Sequence, residues 1–133
     1  MSKVREQLLK RSRRRMKPSE TPKQKDVYIS TLSEGARSEV ERFDPLQWGW
    51  TPDEAKELTA IQLRDLHADA VKRRLVILGT RTKAGELIFD RRDLRGVLAS
   101  DDFDSTVVDA LADEVLDFNG MGEVGLEDLL GEQ

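Results

Sequence analysis

Hydrophobic positions along the chain recur loosely at first, then at helical spacing, then as two dense runs, and finally at helical spacing again. Val4, Leu8, Leu9 and Met16 fall loosely on one side of a predicted helix over residues 2–16, whose surface is so basic that it is marginal in isolation. "KPSETPKQK" (17–25) holds two prolines and no large apolar residue, which predicts an extended linker. Folded structure is expected to begin at the short β-prone "DVYIS". A helix follows from Ser33, with Thr31 and Ser33 as candidate caps and Ala36, Val40 and Phe43 at helical spacing. "FDPLQWGW" interrupts it with Pro45 and Gly49.

"TPDE" (51–54) is a strong helix start: Thr51 can cap, Pro52 suits the first helical position, and Glu54 completes a capping box. At about 100° per residue, Ala55, Leu58, Leu63, Leu66 and Ala70 share one face of the predicted helix. In "RLVILGTRTKAGELIFD" (74–90) the period changes. Two β-prone runs, Leu75–Leu78 and Leu87–Phe89, flank a polar segment with Gly79 and Gly85 and predict a hairpin; the first run could instead be the tail of the preceding helix. Asp90 then caps a short helix carrying Leu94, Val97 and Leu98. Phe103, Val107, Leu111, Val115 and Phe118 form a helical stripe, ended by Asn119-Gly120.

These elements predict a small, mainly helical α+β domain over residues 26–120, with a short β-hairpin or small antiparallel sheet. A flexible basic arm and proline-containing linker (1–25) precede it, and a flexible acidic tail (121–133) follows. At 133 residues, with 38% hydrophobic and 36% charged, the chain supports one modest core plus tails. It has no cysteine, which removes disulfides, thiolate chemistry and cysteine-based zinc sites. No apolar run approaches the ~20 residues needed to span a bilayer, and the N-terminus lacks a signal-like apolar stretch, so a soluble intracellular protein is expected.

Charge is strongly polarised. Residues 1–25 hold ten Lys/Arg against Glu6 and Glu20, a net of +8, whereas residues 101–133 hold eleven Asp/Glu and no Lys or Arg. Such ends suit interaction tails and can attract each other or a neighbouring copy. The run "LLKRSRRRMK" (8–17) has the charge for phosphate contacts. Yet the arm has no aromatic for base stacking, no recognition motif follows, and the rest of the chain is acidic. Nucleic acid is therefore the weaker reading; the arm is either a solvated or self-pairing tail or, through Arg13, Arg14 and Arg15, a dock for acidic protein surface.

Catalytic patterns are missing. His67 is the sole histidine, and a surface or half-buried role is its default. "GTRTKAG" lacks the Gly-Lys-Ser/Thr ending of a phosphate loop. "DDFDSTVVD" lacks the mid-loop glycine and final glutamate of a calcium loop, and its aspartates suit helix capping. No nucleophile elbow surrounds any serine. A non-enzymatic protein without catalytic residues, cofactor or metal is expected. Trp48 and Trp50, separated by Gly49 alone, either lid the core or form a partner-contact knob. Val124, Leu126, Leu129 and Leu130 of the tail are further candidates for partner contact.

From Val27 onward the order of elements resembles the tail assembly chaperones of long-tailed bacteriophages. The likeness runs through "VYISTLSEGARSEVERF", with Val27-Tyr28, Leu32-Ser33, Arg37 and Glu41. It continues in "LVILGTRTKAGELIFDRRDL", with Leu75-Val76 as first strand, Gly85 in the turn, Leu87 and Phe89 on the return strand and Asp93 in the next helix. It closes with "TVVDALADEVLDFNGMG". The basic arm, the linker and the segment from Pro45 to Asp69 depart from that pattern. The resemblance implies a non-enzymatic protein of the host cell cytoplasm that self-associates, binds the tape-measure protein, keeps it soluble and helps tail-tube subunits assemble. The alternatives are a nucleic-acid-associated adaptor using the basic arm, or a minor structural phage tail protein.

Overall fold

A computed structural model describes residues 2–11, 13–20 and 26–121. Along these residues run α1 (Lys3–Arg11), β1 (Met16–Pro18), β2 (Tyr28–Ser30), α2 (Glu34–Glu41), α3 (Pro52–Lys56), α4 (Ala60–Gly79), β3 (Thr80–Arg81) and α5 (Ser105–Phe118), with 3-10 turns at Pro45–Trp48, Arg91–Leu94 and Val97–Ala99. The protein is thus mainly helical α+β with a small antiparallel sheet.

The sheet is assembled differently from the expected hairpin. Its order is β1-β2-β3, with Met16 opposite Ser30, Lys17 opposite Ile29 and Pro18 opposite Tyr28, and with Tyr28 opposite Arg81 and Ile29 opposite Thr80. Residues 16–18, expected as the end of a helix and the start of a linker, are therefore an edge strand. Pro18 is tolerable there because an edge position does not require its missing N–H. Hydrogen bonds from Ser19 N to Val27 O (2.8 Å) and from Thr31 N to Arg15 O (2.9 Å) extend the pairing. Glu114 of α5 fastens the same segment, accepting from Ser19 Oγ at 2.6 Å and from Glu20 N at 2.9 Å.

Leu75–Leu78 is helical, the second of the two readings left open above. The run is uniformly apolar because the end of α4 is buried on all sides, among α2, α5 and the 3-10 turns, so no polar face is needed. Gly79 lets α4 approach α5 closely: a Cβ there would lie 2.6 Å from both methyls of Val115. After β3, Thr82–Glu86 forms a tight turn, and Leu87 returns to make a single bridge with Arg81 instead of a full strand.

Several helix ends match their capping chemistry. Ser33 accepts from Ala36 N, and Thr51 and Glu54 form the reciprocal capping box. That helix, however, stops at Lys56. Thr59 and Gln62 make a second capping box that starts α4 afresh, so the single face expected from Ala55 to Ala70 is split between two helices. Asp90 caps the first of two successive 3-10 turns that stand in place of one short helix, burying Leu94 and Leu98 and leaving Val97 exposed. Asp104 caps α5 through Thr106, and hydrogen bonds from its hydroxyl and N–H hold the Asp104 carboxyl below its usual range. α5 closes with a Schellman pair, Met121 N to Leu116 O and Gly120 N to Asp117 O. Of the expected stripe, Leu111 and Val115 are buried, joined by Val108, Ala112 and Leu116; Phe103, Val107 and Phe118 are half-buried.

Candidate functional site

The tryptophan pair is divided by the backbone. Asp44 caps the 3-10 turn at Pro45–Trp48, and Gly49, at φ +101°, reverses the chain in a conformation that suits glycine. Trp48 consequently enters the core at 0% exposure, where it has no surface to offer a partner. Its indole N–H is buried without an acceptor among the described residues, and Arg91 lies 5.6 Å from its ring. Trp50 emerges half-buried.

Trp50 is held by two side chains. Phe43 meets it edge-on with ring centroids 5.5 Å apart, and the Arg95 guanidinium lies 4.0 Å above its ring. Arg95 is itself placed by Glu54 at 3.4 Å. The Thr51 N–H and then Arg95 hold the Glu54 carboxyl below its ordinary range. Behind Phe43 sits Arg74, fully buried, whose guanidinium carbon is 5.1 Å from the Phe43 ring. Arg74 Nη2 donates to Val40 O at 2.7 Å and lies 2.8 Å from His67 Nδ1. Burial, and then neighbouring Arg73, push the Arg74 pKa down to about 10, so it stays charged at neutral pH. His67 thus serves a structural contact, and among the described residues no group of three or more His, Cys, Asp or Glu could hold a metal ion.

This scaffold supports a shallow groove of about 330 Å³ lined by Trp50, Leu58, Gln62, Asp65, Leu66 and Asp69. Its floor is apolar and its rim carries two carboxylates one helical turn apart. Leu58 and Leu66, expected on a buried face, are half-buried here because the break before Thr59 turns that face partly outward. Gln62 is fixed by its capping role, donating its own N–H to Thr59 Oγ1 at 3.1 Å and accepting from Thr59 N at 2.9 Å. The sequence signal for the groove was the Thr59-x-x-Gln62 spacing, which marks a second helix start.

The other candidate residues lie elsewhere. Arg13, Arg14 and Arg15 are exposed and far along the chain from the groove's elements. Arg15 places its guanidinium 5.6 Å from the ring of Phe118 on α5, as does the ammonium of Lys17. On α1, Val4, Leu8 and Leu9 are exposed alongside Lys3 and Lys10. Val124, Leu126, Leu129 and Leu130 fall outside the described residues. No helix among the described residues is long and apolar enough to cross a membrane. Compared with known proteins, the chain matches no family model, no curated protein and no solved structure.

Proposed function

We propose that this protein is a non-enzymatic helix-binding chaperone, acting in phage tail assembly on the tape-measure protein. The observation that carries the reading is the groove beside Trp50, whose apolar floor (Trp50, Leu58, Leu66) is edged by Asp65 and Asp69. An amphipathic helix lays an apolar stripe into such a groove, and the acidic rim favours a client with Lys or Arg beside the stripe. The sequence stretches 27–43, 75–94 and 106–122, whose pattern resembles tail assembly chaperones, point to the tape-measure protein as client; Leu75-Val76, a strand in that pattern, is helical here.

The energetics suit a reversible coat. A contact burying ~400 Å² of apolar surface gains ~10 kcal/mol at ~25 cal/mol/Å². Association costs of ~4–15 kcal/mol absorb most of it, so one copy binds weakly. Copies lined along one long client bind firmly together while each remains displaceable. The exposed basic α1 and the acidic C-terminal end provide opposite charges for contact between neighbours.

Titration calorimetry of the full chain against helical segments of a cognate tape-measure protein tests this. Reversing the rim with Asp65→Lys and Asp69→Lys is expected to weaken binding at least about tenfold, because like charges then face the client. Both positions are exposed, so melting temperature should barely move. Unchanged affinity in the double variant, or no binding to any segment, overturns the proposal. Tight, steeply salt-dependent binding to random-sequence DNA would favour the basic-arm adaptor instead.

A further inference from the structure

Two cations meet at a second cleft, which shares no residue with the groove. Arg14, two residues before β1, reaches the turn after β3: its Nη2 lies 3.2 Å from where a Cβ on Gly85 would sit. Arg81 Nη1 donates to the carbonyl of the same Gly85 at 2.8 Å. Neither guanidinium has a carboxylate within ion-pair distance among the described residues. The Arg81 Nε is buried with no acceptor among the described residues. Burial first, and then the charge of Arg14, push the Arg81 pKa below its ordinary range. Beside the pair opens a cleft of about 170 Å³ whose remaining walls are Thr31, Leu32, Ser33, Ala36 and Leu78.

Like charges side by side, one of them partly desolvated, raise the free energy of the site. Guanidinium donors are also left unused. An oxyanion in the cleft reverses both effects, because planar guanidinium forks match pairs of oxygens. We propose that this cleft is a receptor for a carboxylate carried on an apolar stem. Leu32, Ala36 and Leu78 form an apolar wall for the stem. Of the two hydroxyls, Thr31 Oγ1 accepts from Arg15 N at 2.9 Å and donates to Arg15 O at 3.4 Å, whereas Ser33 Oγ accepts from Ala36 N at 3.0 Å and keeps its own O–H for a ligand. The apolar wall has nothing to offer the remaining oxygens of a phosphate but suits a stem, which decides for a carboxylate on an apolar stem. Such a group can come from an acidic side chain of a polypeptide or from a free aliphatic acid. The inference stands independently of the chaperone reading, since the groove at Trp50 shares no residue with this cleft.

The test follows the arginine Nε–H signals of the full-length protein by NMR at constant ionic strength, adding sodium hexanoate, acetyl-Leu-Glu-Leu-amide or inorganic phosphate. A saturable shift of the Arg81 signal with the carboxylates is expected. Arg14→Gln should weaken it about tenfold, the equivalent of one lost charge-assisted contact. Because Arg14 is exposed, the fold should be retained; Arg14→Lys, keeping charge without the fork, should fall between the two. Tighter binding of the peptide assigns the group to a polypeptide, and tighter binding of hexanoate assigns it to a small acid. Phosphate binding tighter than either carboxylate, carboxylate binding unaffected by Arg14→Gln, or no saturable shift at all overturns the proposal.

Discussion

The two halves of α4 follow one helical path through two environments. From Ala60 to Asp69 no residue is buried, and Ile61 is 63% exposed. From Ala70 to Gly79 every residue is buried except Lys72 and Arg73, which are half-buried. The first half is secured locally, by the Thr59–Gln62 capping box, and presents Gln62, Asp65, Leu66 and Asp69 to the groove. The second is secured by its neighbours, with Leu75 and Val76 fully buried and Gly79 against Val115. One rod therefore joins an exposed, locally capped half to a half held by the core, and a substitution's effect on stability depends on which half receives it.

That division is open to measurement by urea unfolding. Leu75→Ala should have the largest effect, about 2–5 kcal/mol, since the cavity it leaves is enclosed on all sides. Arg74→Met keeps the volume but strips Val40 O of its donor, and about 1–3 kcal/mol should be lost. In the exposed half, Thr59→Ala removes the cap and should cost about 1 kcal/mol, with faster amide exchange confined to the first turns of α4. Ile61→Ser should change stability by less than about 0.5 kcal/mol. If Ile61→Ser and Leu75→Ala proved equally damaging, the two halves would form one cooperative support and the division would fail.

The sequence carried the local features well. Ser33, Thr51 with Glu54, Asp90, Asp104 and Asn119-Gly120 mark helix ends because capping depends on side chains only a few residues apart. Features made by distant partners were hidden. Met16–Pro18 has no β signal of its own; the pairing comes from β2, more than ten residues on. Leu75–Leu78 reads as a strand because periodicity disappears when every face is buried. Trp50 is visible in the sequence as a candidate, but its separation from Trp48 depends on the turn at Gly49, and the shared apolar face of Leu58 and Leu66 does not by itself tell a groove from a core. The meeting of Arg14 with Arg81 rests on tertiary placement alone, and no spacing in the sequence announces it.

Pinning β1 into the sheet also sets the reach of everything before it. Only residues 12–15 separate α1 from β1, and four residues span at most about 14 Å even when fully stretched. The leucines of α1 are thus on a short leash. Anything that bound them would be held next to the sheet margin, at a local abundance governed by chain geometry rather than by bulk supply.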